Sequence, residues 1–175
     1  MKKNNTLFLI LCLLLLQSCS KNNNNDNASP APTGGYSWSC KINGIAYSWS
    51  GNSGVNGEGS GVCQYNPMTD AFSIGMSTTK PNTNNLVLSM LFPEYKKNTY
   101  ILDGLVGQSK QAANLTFTNP QQSYYTSGSN KITLIINDAL NDKISGTFFG
   151  SLFLAFPIGT GSVTVTEGKF SLQKY

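Results

Sequence analysis

The segment Tyr36-Ser37-Trp38-Ser39-Cys40-Lys41-Ile42-Asn43-Gly44-Ile45-Ala46-Tyr47-Ser48-Trp49 decides the fold class. Large apolar and small polar side chains alternate on both sides of Asn43-Gly44, the two-residue period of a half-buried strand. Asn-Gly suits a type I′ turn because both central residues need positive φ, and the twist of that turn matches the strands it joins. A two-residue loop sets Ile42 opposite Ile45, Cys40 opposite Tyr47 and Trp38 opposite Trp49, all on one face of a β-hairpin. Two readings of that face are open. Trp38, Trp49 and Tyr47 form either an exposed aromatic platform for a sugar or an apolar ligand, or part of the core. Core is favoured, because seven apolar side chains (Tyr36 included) on one side of a hairpin must be covered.

The same period runs on to the C-terminus. Phe72, Ile74 and Met76 share a face, as do Leu86, Leu88, Met90 and Phe92; then come Leu115 and Phe117, Ile132, Leu134 and Ile136, and Ile144, Phe148, Leu152 and Leu154. Turn clusters separate them at 80–84, 126–130, 137–142 and 157–161, and no stretch sustains a helical period for three turns. Crossover helices for a parallel sheet are missing. The expected fold is all-β, an antiparallel β-sandwich of about ten strands, with a lipocalin-like β-barrel as the alternative. Val163 and Val165 share a face while Phe170 and Leu172 fall out of phase with them, which predicts a bulge at Glu167-Gly168 with Gly168 taking the positive φ.

Ahead of this domain, expected over 36–175, lie two segments of different character. Lys2 and Lys3 precede an uninterrupted apolar run from Leu7 to Leu16. Ten residues rise only about 15 Å as a helix, half of a bilayer core, so 1–18 reads as an export signal and not a span. Residues 19–35 hold four consecutive Asn and no large apolar side chain, which predicts a disordered tether. As a coil its residues 20–35 span about 22 Å.

Composition narrows the chemistry. The 175 residues include 12 Lys, no Arg and no His, and 72 of them are Asn, Ser, Thr or Gly. Without His there is no Ser-His-Asp or Cys-His constellation and no imidazole metal ligand. Without Arg there is no bidentate clamp for phosphate or carboxylate, and a charged fraction of 11% offers no basic field for nucleic acid. Gly57-Glu58-Gly59-Ser60-Gly61 lacks the strand, helix and Lys-Ser/Thr ending of a phosphate loop and reads as a turn. The domain carboxylates Glu58, Asp70, Glu94, Asp103, Asp138, Asp142 and Glu167 include a possible pair for glycan hydrolysis, and Asp138 with Asp142 a possible calcium site. Both readings are weak, because Asp is common in turns for backbone reasons. No cofactor, no metal and no catalytic residue is expected, and an enzyme is disfavoured. Cys40 and Cys63 are an even pair in an exported chain, which makes a disulfide around the glycine-rich run 51–61 possible, with two buried free thiols as the alternative.

Two motifs carry a resemblance. Leu16-Gln17-Ser18-Cys19 resembles the lipobox of bacterial lipoproteins, and Ile144-Ser145-Gly146-Thr147-Phe148 with Val163-Thr164-Val165-Thr166-Glu167-Gly168-Lys169-Phe170 resembles the closing pattern of uncharacterised β-rich lipoproteins of the Bacteroidota type. The lipobox resemblance implies cleavage before Cys19, diacylglycerol on its sulfur and a fatty acyl chain on its freed amine. Ser20 after the cysteine then implies the outer membrane, its periplasmic face slightly favoured over the cell surface. The implied partners are the membrane through the acyl chains and an unknown protein or glycan. The expected function is a noncatalytic binding, adhesion or scaffolding module, the alternatives being a carrier of an apolar ligand and an envelope glycan hydrolase.

Overall fold

The computed structural model describes residues 35–52, 55–56, 59–78, 85–105, 107–118, 121–156 and 160–175. Cys19, the signal segment, the tether up to residue 34, Glu58 and the turn at 80–84 lie outside the described residues. The domain is all-β. Its strands are β1 (Tyr36–Ile42), β2 (Ile45–Gly51), β3 (Val55–Asn56), β4 (Gly59–Asn66), β5 (Ala71–Thr78), β6 (Leu86–Phe92), β7 (Asn98–Leu102), β8 (Ala112–Thr118), β9 (Gln121–Tyr125), β10 (Ile132–Ala139), β11 (Lys143–Phe156) and β12 (Ser162–Lys174).

The opening hairpin has the expected register, with Ile42 opposite Ile45, Cys40 opposite Tyr47 and Trp38 opposite Trp49. Asn43 and Gly44 take φ of 48° and 82°, the left-handed pair a type I′ turn requires. Alternation sorts the side chains elsewhere as it does here. On β6, Leu86, Leu88, Met90 and Phe92 point inward and are fully buried, while Val87 points out and is exposed.

Two layers result. One runs β2-β1-β12-β11-β10-β7 and the other β4-β5-β6-β8-β9, with β3 paired to β4. The layers are stitched at two corners by the long central strands. β12 bonds β11 along one side; along its other side it bonds β1, then passes to β4 through Gln173 and Lys174. β11 bonds β10 up to Gly150, then passes to β9 from Phe153 onward. A bulge between Phe148 and Gly150 marks the change of layer, as expected where a strand turns a sandwich corner. The circuit of backbone hydrogen bonds therefore closes, but the space it encloses is filled. Side chains from all the major strands meet in one core that includes Trp38, Ile74, Leu88, Phe92, Leu134, Phe148 and Leu172. The fold is thus a sandwich, differing from expectation in its twelve strands and in the short parallel contact of β12 with β4. β3, of two residues, is too short to leave a periodic signature.

The closing motif has a physical reading in this packing. Gly146 faces Phe170 and Phe148 faces Gly168 across β11 and β12, so the two Gly-x-Phe triplets interlock in antiparallel register. A Cβ at Gly146 would lie 2.7 Å from the Phe170 ring and press on the Ile135 carbonyl oxygen. One at Gly168 would lie 2.6 Å from the Phe148 ring and press on the Phe148 carbonyl oxygen. Each phenyl covers the glycine opposite, and the two rings meet with centroids 6.3 Å apart. The predicted bulge is present, since Cys40 is opposed by both Glu167 and Gly168. Positive φ, however, falls on Glu167 at 54° and not on Gly168. Glycine is needed at 168 because the Phe148 ring and backbone leave no room, and Glu167 turns outward to meet the Lys41 ammonium at 2.8 Å.

Candidate binding face

Of the two readings of the hairpin face, the favoured one, core, is what the structure shows. Trp38 and Trp49 are 2% and 5% exposed, so both belong to the core, and Tyr47 is half-buried against Phe117 with ring centroids 6.1 Å apart. The cause lies in β4. Gly59 and Gly61 form a slot: a Cβ at Gly61 would lie 3.0 Å from each indole and 2.6 Å from Leu172, and one at Gly59 would lie 2.8 Å from Trp49. The Trp38 indole N–H donates to the Ser60 carbonyl between these glycines at 2.8 Å. Gly59 to Gly61, expected in a turn, are therefore strand, and their lack of side chains admits the two largest rings of the core.

Nor is the possible disulfide formed. Cys40 and Cys63 are buried free thiols. Cys40 sits opposite residues 167 and 168 of β12 and Cys63 opposite Lys174. Six residues of strand separate those levels, about 20 Å, whereas a bridge needs Cα atoms within about 7 Å. Burial pushes both thiols up to about 12. Iodoacetamide at neutral pH should therefore label neither thiol in the folded domain and both after unfolding without reductant, read by intact mass; a native label would place a thiol at the surface. Alkaline stability follows with a definite sign. A thiol whose folded value is raised stabilises the fold fully below its ordinary value of 9.0, and that contribution is lost as pH rises towards about 12. Tyr95, pushed up to about 12 chiefly by burial, acts in the same direction. Thermal unfolding should be flat on approach to pH 9 and fall steeply above it; a flat profile through that range would show the thiols to be solvated.

Among the described residues, three of the carboxylates, Asp70, Glu94 and Glu167, are engaged in separate ion pairs. Asp70 accepts from the Lys110 ammonium at 2.6 Å and from the Tyr65 hydroxyl at 2.9 Å, which together hold its carboxyl below the usual range. Glu94 pairs with Lys96, and Glu167 with Lys41. Asp138 lies on β10 and Asp142 in the turn after it, and among the described residues no three of Cys, Asp and Glu gather into a metal site. These are exposed ion pairs, each of small energetic weight.

The outer face of the six-strand layer remains. Cross-strand register aligns Ser50, Ser37, Ser171, Ser145 and Asp138 in one row across β2, β1, β12, β11 and β10. The next row is Ser48, Ser39, Lys169, Thr147, Ile135 and Thr99. Ser37 is buried, and the remaining short hydroxyls of these rows, at a strand spacing of about 4.8 Å and interspersed with Asp138, Lys169 and Ile135, make a low-relief, mainly polar surface. Towards β7 it turns apolar, where Phe149, Thr133 and Ile101 align and the two apolar side chains are 49% and 42% exposed. Sequence reasoning passed over Phe149 and Ile101, although Phe148-Phe149 is itself the signal: in a strand, consecutive rings cannot share a face.

Searches of protein-family models, of curated proteins and of solved structures find nothing that matches this chain.

Proposed function

We propose that the chain is an outer-membrane lipoprotein, acylated at Cys19, whose sandwich is a noncatalytic binding module that presents the outer face of the β2-β1-β12-β11-β10-β7 layer to an envelope glycan or protein. The observation that carries the binding role is that face: aligned rows of Ser and Thr, bordered by Phe149 and Ile101, on a rigid sheet. Hydroxyl rows offer donors and acceptors at regular spacing, and an exposed ring beside them offers a stacking surface, a combination suited to an extended polar ligand. Filled inner faces leave recognition to the outside of the sandwich, and the engagement of Asp70, Glu94 and Glu167 in ion pairs favours binding over hydrolysis. Anchoring is supported by the basic start, the short apolar run and the Leu16-Gln17-Ser18-Cys19 box, and by the resemblance of the closing Gly-x-Phe pattern to β-rich lipoproteins.

Each half has its own test. Cys19→Ala should move the protein from the membrane to the soluble fraction on cell fractionation, because two or three acyl chains hold firmly where none is present to hold at all. A variant that still pellets with membranes removes the anchor from the proposal. On glycan arrays and in crosslinking to envelope extracts, Phe149→Thr should lose the bound species while the domain still unfolds cooperatively with at most a modestly lower midpoint, since half of the ring is in solvent. Undiminished binding by that variant would move the binding surface elsewhere.

A further inference from the structure

We propose that the end of the sandwich where β1 begins rests on the phospholipid surface, with the tips at Met68 and Leu140 seated among the headgroups; this rests on the anchoring reading above. Register places several chain ends together there. Ser37 of β1 is level with Ser171, and β12 ends beside Lys143 at the start of β11. The β4–β5 turn, the β6–β7 connection and the β10–β11 turn close the same end.

These tips form one surface. Tyr95, between β6 and β7, donates its hydroxyl to the Leu140 carbonyl at 2.6 Å, and the Lys174 ammonium lies 4.3 Å from its ring centroid. Phe72 joins Tyr95 to Tyr65 at the base of the Met68 turn, each pair of centroids 5.3 Å apart. The C-terminal Tyr175 is held by its amide to the Cys63 carbonyl at 2.8 Å. At this end Met68 is 93% exposed, and Leu140 and Tyr175 are exposed as well. Ile45 and Phe156 are exposed at the opposite end, so what singles out this end is the higher exposure of Met68 together with the point where the tether joins the domain. Only 16 residues, 20–35, separate Cys19 from Tyr36, which lies at this end, whereas the opposite end lies nine residues of β12 away, about 30 Å. The short tether thus favours the near end against the bilayer. Lys96 pairs with Glu94 and Lys110 with Asp70, while Lys97, Lys143 and Lys174 lie at the same end, so anionic headgroups add an attraction to the apolar contact that salt weakens.

The test uses the acylated protein with one added thiol, Met68→Cys, Leu140→Cys or, at the opposite end, Ile45→Cys, labelled with an environment-sensitive dye. Cys40 and Cys63 stay unlabelled because they are buried. Reconstituted in vesicles of phosphatidylethanolamine and phosphatidylglycerol with brominated acyl chains, the dyes at 68 and 140 should be quenched roughly twofold or more in low salt and less in high salt, with the dye at 45 unaffected. Vesicle-bound protein whose dye at 68 is as bright as that at 45 overturns the docking while leaving the anchor intact. Protein that does not float with vesicles overturns the anchor, and the docking with it.

Discussion

Gly146→Ala and Gly168→Ala should each destabilise the domain by about 3 kcal/mol, a large share of the stability of a domain. At both positions the added methyl meets backbone as well as ring: the Ile135 carbonyl oxygen and Phe170 for Gly146, the Phe148 carbonyl oxygen and Phe148 ring for Gly168. A ring can rotate away, but a carbonyl held in a sheet ladder moves only if the ladder moves. Truncating the phenyl should therefore fail to rescue, so that Gly146→Ala with Phe170→Ala is less stable than either single variant. Urea unfolding followed by tryptophan fluorescence reads this directly, since both indoles are in the core. Either glycine variant lying within about 1 kcal/mol of wild type would refute the interlocked arrangement.

Trp38→Ala is the second large effect, about 4 kcal/mol. The indole is 2% exposed and fills the slot over Gly61, so its loss removes the largest fully buried side chain and leaves a cavity that glycine neighbours cannot fill. Trp38→Phe separates packing from hydrogen bonding. It keeps most of the ring but leaves the Ser60 carbonyl without its donor, at a cost of about 1 to 2 kcal/mol. Should Trp38→Ala instead cost no more than a surface change, the ring would have to be on the outside, and the discarded platform would return.

The hairpin shows what could be read in advance and what could not. Strand identity and pairing at Asn43-Gly44 follow from local chemistry, a turn that needs positive φ and a period of two, and these appear in the structure residue by residue. The inward runs of β5, β6, β10 and β11 follow for the same reason. Non-local relations do not. Which glycines admit rings depends on what packs opposite: Gly61 beneath two indoles and Gly168 beneath Phe148 look in sequence like turn residues. The disulfide expectation came from cysteine count and spacing alone. It fails because β1 runs antiparallel to β12 and β4 parallel to it, which carries Cys40 and Cys63 apart from the point where Trp38 meets Gly61. Corner strands are equally hidden, because β11 reads as one long apolar alternation whether it serves one layer or two. On the candidate face, each Ser and Thr is visible in the sequence, but their alignment into rows needs the order β2-β1-β12-β11-β10-β7.

The pairing of β1 with β12 joins the first strand of the domain to the last. A nascent chain thus carries its opening hairpin with one edge unsatisfied until the thirteen residues of β12 emerge, and only then can the hub that also holds β4 and β11 assemble. Folding is accordingly a late event dominated by sequence-distant contacts, slow by the standards of a domain this size. Every premature stop ahead of Ser162 leaves a chain with nowhere to dock its first hairpin, and such fragments are substrates for chaperones and proteases.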